Sequence, residues 1–295
     1  MNNPLINHAT MEETIYQNKM IPVLEFMDMF DSFPNNSFPS HWHHEFELQI
    51  ILSGCAEYNV NGIPYKVEKG CAIYIAPEAV HFAKGTSAGT IGYNILVLPQ
   101  LLIKLLASAN CEKFTVPLTT RQPEALVITN VRKEGLNVLE LLKKMYHAEN
   151  SILLHELIFL ESVIGIWRNL LTIFPPQTPS AKDSGMVQRE QRMKEMLNFI
   201  QQNYAQPITI SEIATAANIS RSECFRCFAE LSKISPVEYV TQFRLLEASQ
   251  LLVTSDKSIA DICYTTGFNN TSYFSKKFKM QYGMTPKEYR SKNHN

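Results

Sequence analysis

The last third of this 295-residue sequence contains one helical pattern twice, with corresponding residues 49 or 50 positions apart. In each copy a short helix with one apolar face is followed by a tight turn and a second helix. Ile213 and Phe228 in the first copy correspond to Ile262 and Phe278 in the second. Two such pairs of helices predict an all-α domain with two helix-turn-helix units over residues 191–295.

The second helix of each copy carries small polar and basic residues on the face opposite its apolar residues. A helix fits into the major groove of B-DNA, where short polar side chains permit close approach and Arg or Lys reach guanine edges or phosphates. We therefore expect DNA contacts from Ser220, Arg221, Ser222, Arg226, Asn270, Thr271, Ser272, Ser275, Lys276 and Lys279. The alternative is a helical domain that binds protein, with these residues on a solvated surface.

Charge is distributed unevenly along the chain. The net charge is −1, which taken alone argues against a nucleic-acid-binding protein. Residues 1–186 hold 13 basic and 18 acidic residues (net −5), whereas residues 187–295 hold 14 and 10 (net +4). The basic excess coincides with the helix-turn-helix repeat and favours double-stranded DNA as a partner.

The first half of the chain has the pattern of a small β-structure. Phe46, Leu48 and Ile50 alternate with other residues, and Asn61-Gly62 between apolar residues indicates a tight hairpin. Repeated short strands between about 20 and 98 predict a small barrel or sandwich, and from residue 100 the pattern becomes helical. Apolar residues on the helices at 134–174 either dimerise the protein or pack on the barrel; they are Leu136, Leu139, Leu142, Tyr146, Leu153, Leu157, Leu160, Ile164 and Leu171.

These patterns predict an α+β protein with three parts. They are a sensor domain at 1–175, a linker at 176–190 that is rich in Pro, Ser and charge, and a DNA-binding domain at 191–295. The sequence shows neither a signal peptide nor a membrane span, and its six cysteines are scattered, so we expect a reduced, cytoplasmic protein. Cys224 and Cys227 form a C-x-x-C pattern on an inward helix face, where buried core cysteines are expected.

The segment SIADICYTTGFNNTSYFSKKFKMQYGMTPKEYR (258–290) closely resembles the signature of AraC/XylS-type transcription regulators, and ISEIATAANISRSECFRCFAELSKISPVEY (210–239) resembles it more loosely. In the first unit Lys233 stands where the family usually has Gly, and Ala229 where it usually has Lys. The resemblance covers about 192–290. It implies a domain of seven helices in which Arg226 and Lys276 touch DNA, a homodimer, and contact with RNA polymerase.

Histidines in the first half form a second pattern of interest. His41, His43 and Glu47, together with His81, resemble the two metal motifs of a cupin barrel, although the second motif is degraded. Three imidazoles and a carboxylate can hold a divalent metal. Sensor domains of this regulator family also resemble cupins and often keep such histidines without catalysis. These four residues therefore form a polar ligand pocket, a metal site, or a structural cluster.

The sequence thus predicts a cytoplasmic, DNA-binding transcription regulator that responds to a small-molecule effector, and no enzyme activity. A sugar is the commonest effector that the resemblance implies. No cofactor is expected other than a possible divalent metal, and no membrane partner is expected. The alternative is a metal-dependent cupin enzyme or a metal-sensing regulator that uses His41, His43, Glu47 and His81.

Overall fold

The computed structural model describes residues 23–148, 155–174 and 184–293. The chain forms two compact units, of which one comprises 1–29, 42–79 and 85–181, and the other comprises 30–41, 80–84 and 182–295. These units differ from the predicted domain limits because two short N-terminal segments pack with the C-terminal helices. Within that unit the Tyr239 hydroxyl donates a buried hydrogen bond of 2.7 Å to the Ser40 carbonyl oxygen.

The described residues contain nine strands in two sheets, with the orders β1-β8-β3-β6-β9 and β2-β7-β4-β5. The strands are β1 (Val23–Met29), β2 (Ser37–His41), β3 (Phe46–Ser53), β4 (Cys55–Val60), β5 (Ile63–Glu68), β6 (Ala72–Ile75), β7 (His81–Gly85), β8 (Ile91–Val97) and β9 (Ala125–Ile128). The cupin-like arrangement predicted from the sequence is confirmed, with the strands in two sheets and not in one closed barrel.

The predicted hairpin is confirmed between β4 and β5. Val60 pairs with Ile63, and both turn residues, Asn61 and Gly62, have positive φ (48° and 87°). Asn and Gly adopt this conformation at low cost, which is why they occupy such turns. Pro64 lies on β5, an edge strand, where its missing N–H costs no ladder hydrogen bond.

Helices cover the five-stranded sheet of the first unit. They are α1 (Pro99–Ser108), α2 (Val116–Thr120), α3 (Lys133–Tyr146) and α4 (His155–Ile173). Leu139 of α3 and Trp167 of α4 belong to the same core as Phe46 and Ile50 of β3. One face of the α3–α4 pair therefore packs on the sheet, which is the second of the two roles predicted for these helices.

The apolar face predicted for α4 is not the buried one. Leu157 and Ile164 are 61% and 41% exposed, and Leu153 lies outside the described residues. The sheet is instead contacted by Phe159, Val163, Ile166, Trp167 and Leu170. Because α4 is apolar around most of its circumference, its periodicity could not identify the buried side.

Seven helices follow in the described part of the second unit, as the resemblance implied. They are α5 (Ser184–Asn203), α6 (Ile210–Ala216), α7 (Arg221–Leu231), α8 (Pro236–Thr254), α9 (Ile259–Thr265), α10 (Thr271–Tyr282) and α11 (Pro286–Asn293). Residues 184–190, predicted as linker, belong to α5, because buried Met193, Met196 and Leu197 continue a helical period that begins before them. Within the described residues, no helix is long and apolar enough to span a membrane.

The two helix-turn-helix units have matching turns. Asn218 and Gly267, 49 residues apart, both have positive φ (53° and 83°) between the two helices of each unit. Lys233 and Gly283, 50 residues apart, both have positive φ (60° and 72°) just after the second helix. The sequence repeat is therefore also a repeat of backbone conformation. In the first unit the two left-handed positions are occupied by Asn218 and Lys233, and in the second unit both are occupied by glycine.

Candidate nucleic-acid interface and effector site

Helix α7 has one buried and one exposed face. Cys224, Cys227, Phe228 and Leu231 are buried, and burial raises the pKa of both thiols to about 11. The two cysteines are free thiols in the core, as predicted. The exposed face consists of Arg221, Ser222, Phe225, Arg226 and Ala229. It contains three of the predicted DNA-contacting residues and Phe225, which the sequence analysis did not select.

An ion-pair network orients Arg226 on this face. Arg226 Nη2 donates to Glu223 Oε1 at 2.8 Å, and Arg192 Nη1 of α5 reaches the same oxygen at 3.2 Å. The hydrogen bond from Arg226, together with the charges of both arginines, holds the pKa of Glu223 below its ordinary value. Glu223 thus orients the Arg226 side chain in the absence of DNA. If Arg226 contacts a base, its guanidinium group must bind both Glu223 and the DNA.

Two predicted DNA-contacting residues also begin their helices. Ser220 Oγ accepts a hydrogen bond from the Glu223 N–H at 3.2 Å, and Asn270 Oδ1 accepts one from the Tyr273 N–H at 2.8 Å. These caps satisfy backbone donors that would otherwise lack a partner and fix where α7 and α10 start. Among the described residues, the Asn270 amide nitrogen donates to no other group, so its N–H groups can bind an outside acceptor.

The outer face of α10 is polar and positive. Ser272, Lys276 and Lys279 are exposed, and Thr271 and Ser275 are half-buried. Within the part of the chain that the structure describes, neither Lys276 nor Lys279 forms an ion pair. Both ammonium groups can therefore meet a phosphate or a guanine edge without first breaking an internal pair.

His43 and Glu47 form a buried pair in the first unit. His43 Nε2 lies 3.2 Å from Glu47 Oε2, and Asn94 Nδ2 donates to Glu47 Oε1 at 2.8 Å. Burial lowers the pKa of His43, but the hydrogen bond to Glu47 and the charges of Glu47 and Glu45 outweigh it, so the pKa is raised. His43 Nδ1 lies 3.1 Å from the Glu45 carbonyl oxygen, so both imidazole nitrogens have partners within the protein.

His41 and His81 meet across the β2–β7 pair. They are partners in the strand register, and their ring centroids are 4.2 Å apart. His41 and His81 belong to one compact unit, and His43 and Glu47 belong to the other. Imidazole nitrogens and carboxylate oxygens are ligands of divalent ions, so both pairs have the chemistry of a metal site.

Sequence reasoning missed the polar residues beside this pair. Asn94 lies on β8, between Tyr93 and Ile95, and its only sequence signal is an amide within an apolar strand. Tyr58 is fully buried, and burial, with the charges of Glu47 and Asp28, raises the pKa of its hydroxyl well above the ordinary value. Among the described residues, neither the Tyr58 hydroxyl nor Asn94 Oδ1 has a hydrogen-bond partner. Both atoms are available to a ligand.

Comparison with known proteins gives two family matches. Residues 29–128 match the family described as "AraC-like ligand binding domain", and residues 213–292 match "Helix-turn-helix domain". The uncharacterized HTH-type transcriptional regulator YdeC of Bacillus subtilis (strain 168) is 28% identical over 99% of this chain and its own full length. The HTH-type transcriptional activator RhaS of Yersinia pestis (strain Pestoides F) is 26% identical over 88% of this chain and 91% of its own.

This chain is an AraC-family transcriptional regulator. As a member of that family it binds DNA through its helix-turn-helix domain and responds to a small-molecule effector, and it is not an enzyme. The fold agrees with that of a solved structure. A ligand-free crystal structure of a ToxT variant from Vibrio cholerae strain SCE256 matches with a TM-score of 0.51 and 15% identity, covering 92% of this chain and 98% of that one.

Proposed function

We propose that α7 and α10 are the recognition helices of this AraC-family regulator and enter successive major grooves of promoter DNA. The supporting observation is that both helices bury one face in the core and expose a second face that carries small polar and basic residues. The contacting residues are those predicted from the sequence: Ser220, Arg221, Ser222, Arg226, Asn270, Thr271, Ser272, Ser275, Lys276 and Lys279.

A gel-shift titration at constant salt tests this interface. A base contact by a charged side chain is worth about 1–3 kcal/mol, so Arg226→Ala should weaken binding to a selected site roughly 5- to 150-fold. Arg168→Ala is the matched control, because Arg168 is exposed on α4, a helix of the other compact unit. Equal affinity of the Arg226 variant and the control would remove Arg226 from the interface.

We propose that the effector binds at His41, His43, Glu47 and His81, within a functional sensor region at 1–175. Residues 176–190, of which 184–190 begin α5, join this region to the DNA-binding region at 191–295. Support comes from the contacts of His41 with His81 and of His43 with Glu47, and from two buried polar atoms without a partner among the described residues, on Tyr58 and Asn94. Sugar hydroxyls both donate and accept hydrogen bonds, as these groups require. A panel of monosaccharides should include one that raises the melting temperature of the protein, and Glu47→Gln should reduce that shift. A full shift in the variant contradicts the assignment.

A divalent metal at the same four residues is the second candidate, which would make the chain a metal-sensing regulator. The contacts of His41 with His81 and of His43 with Glu47 favour it, because imidazole nitrogens and carboxylate oxygens are ligands of divalent ions. A bound ion would supply positive charge that holds an oxygen-bearing effector, while Asn94 keeps Glu47 in place. Equilibrium dialysis against Zn²⁺ or Mn²⁺, followed by metal analysis, tests it with His81→Ala as the comparison. Stoichiometric metal that His81→Ala removes supports the site, and no retained metal in the native protein rejects it.

We infer that the regulator is a homodimer that acts in the cytoplasm, where its DNA lies, and contacts RNA polymerase there. Leu157 and Ile164 expose aliphatic surface on α4, opposite the face that packs on the sheet. Light scattering of the full chain should give twice the monomer mass, and Leu157→Glu with Ile164→Glu should halve it. Val131→Glu, at an 87% exposed position before α3, is the control. Transcription reconstituted with purified RNA polymerase tests the proposed contact between the regulator and the polymerase.

A further inference from the structure

Phe225 lies in the middle of the exposed face of α7. It is 42% exposed, with Ser222 one turn before it and Ala229 one turn after it. The core below is already filled by Phe228 and its buried neighbours. Among the described residues, no aromatic ring or cation stacks on the Phe225 ring. Phe225 is therefore an apolar group presented at the surface where the first helix-turn-helix unit would meet DNA.

The second unit differs at the corresponding position. With the 50-residue offset, Ser222 corresponds to Ser272 and Arg226 to Lys276, so the polar and basic character is kept at both. Phe225 corresponds to Ser275, which is half-buried on α10. The outer faces of the two recognition helices are thus alike in charge but differ by one aromatic ring.

We propose that Phe225 contacts the C5 methyl group of a thymine and gives the half-site of the first helix-turn-helix unit a thymine preference that the second half-site lacks at the equivalent position. This inference rests on the proposed role of α7 as a recognition helix. Thymine carries a C5 methyl group beside its O4 acceptor on the major-groove edge, whereas the other bases present hydrogen-bonding atoms there without a methyl group. A phenyl ring cannot satisfy those atoms, but it gains from covering a methyl group.

Selection of binding sites from a random duplex library tests the inference whatever the sequence of the natural promoter. The native protein should select a thymine at one position of one half-site, and Phe225→Ser should lose that preference while it keeps the rest of the site. Phe114→Ser is the matched control, because Phe114 is 40% exposed and belongs to the other compact unit. It should select the same site as the native protein.

Replacement of the selected thymine by deoxyuridine removes only the methyl group. Burial of one such group is worth about 0.8 kcal/mol, so the native protein and Phe114→Ser should bind the substituted site roughly fourfold more weakly. Phe225→Ser should bind both sites equally. Equal binding of both sites by the native protein, or a thymine preference that survives in Phe225→Ser, overturns the inference.

Arg226→Ala separates this inference from the proposed function. If Arg226→Ala weakens binding but deoxyuridine has no effect on the native protein, α7 is a recognition helix and Phe225 does not read thymine. If neither Arg226→Ala nor Phe225→Ser changes affinity or selected sequence, α7 does not face DNA and both proposals fail. Thermal unfolding of each variant confirms that the exposed substitutions leave the fold intact.

Discussion

Lys233 occupies a left-handed backbone position that costs the regulator stability. It follows α7 with φ of 60°, whereas Gly283 follows α10 at the equivalent position with φ of 72°. A non-glycine residue in this region costs about 1–2 kcal/mol, because Cβ approaches a neighbouring carbonyl oxygen. A glycine in the unfolded chain has extra conformational freedom worth about 0.4–1 kcal/mol, which offsets part of the gain. Lys233→Gly should therefore raise the free energy of unfolding by about 0.8 kcal/mol.

The reverse change at the equivalent position provides an internal check. A Cβ added at Gly283 would meet no atom within 4 Å, so Gly283→Ala carries only the backbone cost. It should lower the free energy of unfolding by about 0.8 kcal/mol, by the same two terms with opposite sign. The double variant Lys233→Gly, Gly283→Ala should then unfold close to the native protein.

Differential scanning calorimetry of the full chain measures the effect. For a helical region of this size, 0.8 kcal/mol corresponds to a shift of about 3 °C in the transition, upward for Lys233→Gly and downward for Gly283→Ala. The reasoning is refuted if Lys233→Gly lowers the transition temperature. That result would mean that the Lys233 side chain stabilises the protein through contacts along the groove that it lines with Lys84 and Glu238.

Three further changes test individual contacts in the second unit, each by urea unfolding of the full chain. Gly267→Ala should lower the free energy of unfolding by at least about 2 kcal/mol, because the added Cβ would collide with the Tyr204 carbonyl oxygen. This loss exceeds that expected for Gly283→Ala, and equal losses for the two variants would contradict the close packing at Gly267. Tyr239→Phe should cost about 1–2 kcal/mol, since it leaves the buried Ser40 carbonyl oxygen without its donor, and no change would mean that water replaces it. Asn270→Ala should cost about 1 kcal/mol by removing the α10 cap, and Asn270→Ser should restore most of it.

Local chemistry made much of the C-terminal half predictable. Ser220 and Asn270 cap their helices, and each is a residue type favoured at this position and precedes an apolar helical period. The Asn61-Gly62 turn was equally visible, since few residue pairs adopt two consecutive positive φ angles. In each case the residues that determine the structure are neighbours in sequence.

Features set by distant residues were not predictable in the same way. β9 has four residues and follows two helices, so its pairing with β6 could not be inferred from periodicity. The ion pair that joins Arg192 to Glu223 depends on how α5 packs against α7. Asn94 approaches Glu47 only because β8 pairs with β3. The four histidine and carboxylate residues were found because their spacing resembles a known motif, whereas their polar neighbours have no such spacing.

The central claim is that each subunit reads DNA with two recognition helices. Base-resolution footprinting of the full chain on a selected site tests it most directly. Two helices in successive major grooves should protect two segments per subunit, about 10 base pairs apart. Lys276→Ala should weaken protection of one segment and Arg226→Ala that of the other. A single protected segment per subunit, or loss of the same segment in both variants, would contradict the account.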